Sequence, residues 1–239
     1  TPYLAYPDPT VTRRTGFLLP TFHGGDYGLG VTTPYFWAIA PDKDLTLRPM
    51  FTTQQGVLAD VEWRQALRWG MYSIRAYGID ELNPSDSTAG NGPLRGAFRT
   101  RGDMKLDDTW KLEWDATATS DRTFMKDYDI DSRNMAASFV SATGLSDRNY
   151  AKVETIGWRT LTVGEEQDYL PIAAPYITAN YILDQPVMGG ELAFDLMAYS
   201  LTREDADPRY GLGTQQSHSV ARVRWERRMA TGAGLLLTP

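Results

Sequence analysis

Gly28 to Trp63 reads GLGVTTPYFWAIAPDKDLTLRPMFTTQQGVLADVEW, and Thr12 to Phe22 before it reads TRRTGFLLPTF. Short alternating segments punctuated by aromatic residues continue from here almost to the end of the chain. The alternation is clearest at Trp110 to Thr119, where Trp110, Leu112, Trp114, Ala116 and Ala118 interleave with Lys111, Glu113, Asp115, Thr117 and Thr119. Successive side chains of a strand point to opposite faces, so one face here is apolar and the other polar. The same period sets Val57, Ala59, Val61 and Trp63 against Leu58, Asp60, Glu62 and Arg64, and Leu192, Phe194, Leu196 and Ala198 against Glu191, Ala193, Asp195 and Met197. A helix would scatter both sets around its circumference.

Further strands are expected at Tyr27 to Ala38, Asp44 to Thr53, Met71 to Gly78, Leu94 to Met104, Arg133 to Ala142, Asn149 to Thr160, Pro175 to Leu183 and Ser217 to Met229. That makes about eleven strands of roughly ten residues, the length a tilted strand needs to cross a bilayer. Soluble sandwiches use strands of about five or six. Turn residues at Pro41-Asp42-Lys43, Gln54-Gln55-Gly56, Asn83 to Gly92, Thr143-Gly144, Asp184-Gln185-Pro186 and Asp205 to Gly213 separate the strands as successive hairpins would require. The expected fold is therefore all-β: an antiparallel transmembrane β-barrel of the outer-membrane type. An open edge in hydrocarbon would strand backbone N–H and C=O groups at several kcal/mol each, so a membrane sheet must close. An odd strand count then implies a partial barrel completed by other sequence.

The chain has 239 residues, a formal charge of -6 and no cysteine. The acidic balance argues against a nucleic-acid surface, and the missing thiols exclude a disulfide framework or thiolate metal site. The longest apolar run suited to a helix, Gly234 to Leu237, is far too short to span a bilayer. Thr1-Pro2-Tyr3-Leu4 lacks the features of a signal peptide, which suggests that the sequence begins within a longer protein.

Arg14-Thr15-Gly16-Phe17-Leu18, Pro34 to Pro41 (PYFWAIAP), Asp44-Leu45-Thr46-Leu47 and Pro49 resemble the opening of the barrel in the LptD family of lipopolysaccharide-assembly proteins. DPTVTRRTGFLLP at Asp8 to Pro20 resembles that family's junction between a periplasmic jelly roll and the barrel. SDRTFMKDYDID at Ser120 to Asp131 is similar to an acidic, aromatic element between two early barrel strands. Residues 132–239 agree mainly in patterning. The resemblance implies a junction segment at 1–22 and the first part of a barrel at 23–239. It also implies a Gram-negative outer-membrane location and insertion of lipopolysaccharide into the outer leaflet through a lumen and lateral gate. Its expected partners are lipopolysaccharide, the plug lipoprotein LptE and the periplasmic bridge protein LptA; no cofactor or metal is expected. A passive porin or channel is the alternative, and a soluble two-sheet binding protein a third reading.

Pro34 and Pro49 match family positions of the lateral gate, with Tyr35 beside them. Bottom-up, a proline inside a strand cannot donate to its neighbour and is confined to edges, strand starts or bulges. Either a bulge that only shapes the sheet or a weakened seam fits this alone; the resemblance favours the seam. Glu62, Arg64, Glu113, Asp115, Arg222, Arg224 and Glu226 fall on the polar faces, as a wet lumen or a path for sugars and phosphates would have them. Trp37, Trp63, Trp69, Trp110 and Trp158 lie toward strand ends, as an interfacial girdle would. Asp127-x-Asp129-x-Asp131 has carboxylate spacing of a calcium loop, but Ser132 and Ser138 replace the glycine and glutamate such a loop needs, so a solvated turn is expected. Gly28-x-Gly30 and Gly211-x-Gly213 lack a following helix to hold phosphate. His23 and His218 have no Gly-x-Ser-x-Gly elbow beside them, so no enzymatic activity is expected. From a periplasmic start, parity places the turns after Gln54, Gly78 and Ser120 in the periplasm.

Overall fold

A computed structural model describes residues 13–84, 93–164, 166–230, 234 and 236–237. The first part of the expected junction, residues 1–12, and most of the polar turn, residues 85–92, lie outside the described residues.

The first hairpins are broken strands. β1 (Gly16–Phe17) and β2 (Thr21–Gly25) form one pass, β3 (Gly28–Thr32) and β4 (Tyr35–Ala40) the next, and β5 (Lys43–Leu47) and β6 (Met50–Thr52) the third. Uninterrupted strands follow: β7 (Gly56–Leu67), β8 (Gly70–Asp80), β9 (Leu94–Lys105), β10 (Trp110–Thr119), β11 (Met135–Ser146), β12 (Asn149–Thr160), β13 (Ile172–Ile182), β14 (Glu191–Thr202) and β15 (Gln215–Glu226). They assemble into one 15-stranded sheet in which neighbours along the chain pair, from β1 and β2 at one edge to β15 at the other. Every register given for it is antiparallel, such as Ser146↔Asn149 through Met135↔Thr160 between β11 and β12. The two edges do not meet among the described residues.

The chain forms two compact units. One comprises residues 1–101, 117–134 and 161–163; the other comprises 102–116, 135–160 and 164–239. The first therefore holds β1 to β8 with the loop before β11, and the second holds β11 to β15.

All the expected strands are present, with two additions: Met229–Ala230 pairs with Leu236–Leu237 in a separate two-stranded sheet, and an extra pass precedes Tyr27. Thr21–Gly25 pairs residue by residue with Gly28–Thr32 across a turn at Asp26-Tyr27. Tyr27 is thus a turn residue, and an extra pass precedes it. This reverses the parity of every later turn relative to the chain start. Pro175, expected to open a strand, lies inside β13 where the register with β14 shifts between Ala173 and Tyr176, a bulge that needs no donor at that position.

Polarity is inverted relative to a water-soluble sheet. Asp44, Thr46, Asp60, Arg95, Thr117, Thr119 and Ser141 are buried, while Phe22 (79% exposed), Phe51 (53%) and Val223 (64%) face outward. At the start of β7 burial alternates, with Leu58 and Asp60 buried and Val57 and Ala59 exposed, while Arg64 further along is exposed. Two tryptophan rings rest against glycines of the neighbouring strand, Trp114 on Gly102 and Trp110 on Gly144. A Cβ on Gly102 would come within 2.1 Å of the Trp114 ring, so only glycine lets that indole rest against β9. Trp69 and Trp110 stand at strand ends beside short turns, Trp158 lies near the far end of β12, and Trp37 and Trp63 flank Leu45 across three strands within the sheet.

Candidate functional site

The edge that opens the sheet is where the ladder is thinnest. Thr32 pairs with Met50 and Tyr35 with Leu47, so Thr33-Pro34 stands opposite Arg48-Pro49 between two regular stretches. On the outer side, Phe17 pairs with Tyr35 and Thr21 with Thr32, which sets Leu18-Leu19-Pro20 against Thr33-Pro34 and bulges the edge strand. The proline carbonyls still accept: Leu18 N donates to Pro34 O at 2.8 Å and Thr33 N to Pro49 O at 3.1 Å. The proline nitrogens donate nothing. Three neighbouring passes are interrupted at one level, which lowers the cost of parting them by about 0.5–1.5 kcal/mol for each missing bond. Tyr35 sits beside the break, its ring edge-on to Phe17 at 5.0 Å. Pro34, Pro49 and Tyr35 are therefore brought together at this edge, where the prolines interrupt the ladder.

Behind this seam the inward face carries a ladder of charge. Asp44 receives Arg64 Nε at 2.9 Å and also pairs with Arg13; Arg48 pairs with Glu62 at 2.5 Å; Asp60 takes a two-pronged bond from Arg75 at 2.8 and 2.6 Å. Register accounts for two of these: Asp44 faces Arg64 directly, and Arg75, opposite Glu62, reaches diagonally to Asp60 two residues along β7. Of the sequence-derived polar residues, Glu62 and Arg64 belong to this ladder. Glu113 lies with Lys111, whose amine reaches both Asp103 at 2.7 Å and Glu113 at 3.0 Å. Asp115 shares the Glu113 face of β10. Arg222, Arg224 and Glu226 form a row on β15, with Arg222 opposite Asp195 and Arg224 at 3.6 Å from Glu226.

A third assembly, centred on Arg95, was not legible in the sequence. Arg95, 4% exposed, donates to Glu81 at 2.6 Å, to both oxygens of Asp121 at 2.8 and 2.7 Å, to Asp127 at 2.8 Å and to Thr123 at 3.0 Å. These partners pin the β10–β11 connection, which turns through a short helix α1 (Phe124–Asp127), onto the end of β8 and β9. Asp121 also accepts the backbone N–H groups of Thr123 and Phe124, the capping pattern that a short polar side chain favours. Phe124 and Met125 are buried beneath it. Tyr128 donates to Glu81 at 2.7 Å and stacks on Tyr27 at 5.8 Å; Tyr27 in turn donates to Asp129 at 2.9 Å. The first hairpin is thereby tied to a loop a hundred residues later. Asp127, Asp129 and Asp131 serve three different donors, Arg95, Tyr27 and Arg133, so the turn, in which Asp129 stays exposed to solvent, is tied down by side-chain bonds.

Burial pushes the Asp121 carboxyl up, but its bonds from Arg95 and Ser120 overcome this and hold it well below the usual carboxylate range. Burial, reinforced by Asp129, pushes the Tyr27 phenol up to about 12. Burial and the bond to Glu81 raise Tyr128 likewise. These groups keep one protonation state across the neutral range, as a structural clamp requires.

Residues 94–239 match the family model described as LPS transport system D, LptD. The chain belongs to the LptD family. It is 28% identical over 214 residues to the LPS-assembly protein LptD of Actinobacillus pleuropneumoniae serotype 7, covering 85% of this chain and 26% of the relative. The LptD of Alkalilimnicola ehrlichii is 27% identical over 248 residues, covering 100% of this chain and 30% of the relative. That of Pseudomonas aeruginosa LESB58 is 31% identical over 152 residues, covering 60% and 16%. The chain thus spans 26–30% of the length of the first and second of these LptD relatives. Within the matched region lie the Arg95 clamp partners Asp121 and Asp127, and all the polar residues on β10 and β15.

Proposed function

We propose that this chain is the first part of the membrane-spanning barrel of an outer-membrane LptD, with residues 1–22 as the junction to a periplasmic domain and 23–239 as barrel. Strands β7 to β15 run 10 to 12 residues, enough to cross a bilayer when tilted. Their outward faces are apolar and their inward faces charged, the arrangement in which hydrocarbon lies outside and water inside. The open edges are completed by the remainder of the full-length protein.

Its function is insertion of lipopolysaccharide into the outer leaflet. Sugars travel along the polar interior past Glu62, Arg64, Glu113, Asp115, Arg222, Arg224 and Glu226, and acyl chains leave sideways at the seam of Pro34, Pro49 and Tyr35. The observation that carries this reading is the alignment of proline breaks in adjacent passes at the sheet edge. A chain that enters from the periplasm then has Asp26-Tyr27, the clamp loop and the long connection after β14 outside, and the short turns at Pro41-Asp42, Arg68-Trp69 and Asp147-Arg148 inside; outer-membrane barrels favour long connections on the outer side. Partners are the plug lipoprotein LptE in the lumen and the bridge protein LptA on the periplasmic side. The paired charges behind the seam also suit a passive water-filled channel, which is the second reading.

Photo-crosslinking in cells separates the two. A probe at Tyr35 and another at Trp63, both outward-facing on the first hairpins, are placed in the full-length protein. Lipopolysaccharide adducts at Tyr35 exceeding those at Trp63, and vanishing when periplasmic delivery is blocked, are expected. Equal labelling, or none, moves the assignment to the channel.

A further inference from the structure

The clamp loop roofs a cavity of about 740 Å³ lined by Arg99, Arg101, Lys126, Asp129, Ile130, Asp131, Ser132 and Arg133. Arg99 and Arg101 lie two apart on β9, hence on the inward face they share with Arg95. Lys126 comes from α1 and Arg133 from the return toward β11. Four cationic side chains meet two carboxylates here, an excess of two positive charges in a chain whose net charge is -6.

Both carboxylates are already engaged by the protein. Asp129, held at φ 53°, accepts the Tyr27 hydroxyl; Asp131 accepts Arg133 through Nε at 2.9 Å, Nη2 at 2.5 Å and the backbone N–H at 3.0 Å. Asp131 therefore positions the Arg133 guanidinium as part of the wall. Lys126 is anchored at 2.6 Å to the side chain of Asn134. The cations are thus set around the space on rigid supports: a strand on one side and a clamped loop on the other. Such preorganised forks and ammonium groups recognise phosphate and carboxylate oxygens.

Size and lining narrow the ligand further. Ordinary small-molecule pockets span roughly 300–1,000 Å³, so this one exceeds what a lone phosphate fills. Ile130 is the one aliphatic residue of the lining, and Ser132 adds a hydroxyl, which suits a hydroxylated ligand better than an acyl chain. A phosphoryl group near neutral pH carries about 1.5 to 2 negative charges, the sign that a lining richer in cations than carboxylates favours. We infer that this cavity is a subsite for a sugar-borne oxyanion, a phosphate or carboxylate on a saccharide, held by Arg99, Arg101, Lys126 and Arg133. The inference names a chemical class for the cargo and so deepens the transport reading, on which its biological setting rests; the binding itself does not depend on that reading.

The test is calorimetric titration of the full-length protein in detergent with glucosamine 6-phosphate, galacturonate and N-acetylglucosamine. Both charged sugars bind and the neutral one does not; a preference for the first identifies phosphate as the source and for the second carboxylate. Arg99→Gln with Arg101→Gln removes two charge-assisted bonds and weakens binding by at least about tenfold. Lys126→Gln, on the exposed rim, weakens it by a few-fold, and decides the matter if the double variant loses the heat-modifiable gel shift of a folded barrel. Lys152→Gln, which breaks an ion pair with Glu154 in the other unit, leaves binding unchanged. Absence of charged-sugar binding to the folded wild type, or binding indifferent to both sets of substitutions, overturns the proposal. Surface delivery of lipopolysaccharide is followed in the same strains. Delivery without sugar binding rejects the subsite and keeps the transport reading; sugar binding without delivery by the wild type does the reverse.

Discussion

Replacing Arg95 by leucine should release the cap over β8 and β9 and invert its response to acid. The side chains of Arg95, Glu81 and Asp121 are 4%, 3% and 9% exposed, so the substitution leaves carboxylates in a water-poor site with no countercharge. Breaking a buried pair by removing one partner costs about 3–5 kcal/mol. The strands are held by their own ladders, so this cost falls on the loop from Thr123 to Asp131 and appears as local opening rather than loss of the sheet. Amide hydrogen exchange across those residues should accelerate by roughly two to four orders of magnitude. The pH dependence is the sharper readout. In the wild type the folded Asp121 titrates below its ordinary value of 3.8, so its contribution is fully present above about pH 4 and is lost as pH falls through the lower folded value. In Arg95→Leu the burial remains and the counter-ion is gone, so Asp121 titrates above its ordinary value and acidification should restore protection. Exchange within about threefold of wild type, or a loop that loosens in acid in both proteins, would refute the clamp.

Tyr27→Phe removes the hydroxyl that Asp129 accepts and should weaken the link between first hairpin and loop by about 1 kcal/mol, read as faster exchange at Tyr128 to Ile130. Because the folded Tyr27 phenol lies near 12 against an ordinary 10.0, its contribution is full below pH 10 and lost as pH rises through 12; ultraviolet titration should show one fewer late-appearing tyrosinate in the variant than in the wild type, Tyr128 being late in both. Pro34→Ala with Pro49→Ala returns two donors to the broken passes and should stiffen the seam by up to about 1–3 kcal/mol, seen as slower exchange at Leu18 and Thr33 together with fewer lipopolysaccharide adducts at Tyr35. Gly102→Ala drives a methyl into the Trp114 ring, and should cost about 1–3 kcal/mol with a shift in tryptophan emission; an unchanged spectrum and stability would show that the indole is not seated there.

Much of the sheet was legible because its signals are local. Alternation over Trp110–Thr119 and Val57–Arg64 identifies each strand and assigns each side chain a face, and the observed burial of Asp60 beside exposed Val57 follows that assignment. The proline interruptions of the ladder were also visible, since a missing N–H is a property of the residue itself. Thr21–Gly25 escaped because PTFHGG carries little alternation and two glycines; it becomes a strand by pairing with Gly28–Thr32. The helix start at Asp121-x-Thr123 carries a capping signal, but nothing local announces that Arg95 and Glu81 will meet it.

The sequence by itself therefore determined the all-β class, the long strands, the two-faced character of the clearest of them and the positions where the ladder cannot be complete, because these depend on spacing and on backbone chemistry within a few residues. Tertiary structure alone decided which strand opposes which, how Asp44 with Arg64, Glu62 with Arg48 and Asp60 with Arg75 become one ladder, and how Tyr27, Glu81, Arg95 and the 120–134 loop become one clamp beside a basic cavity. Those contacts join residues far apart in the chain. Their energy comes from burial that exists only once the strands are in register, which no short window of sequence contains.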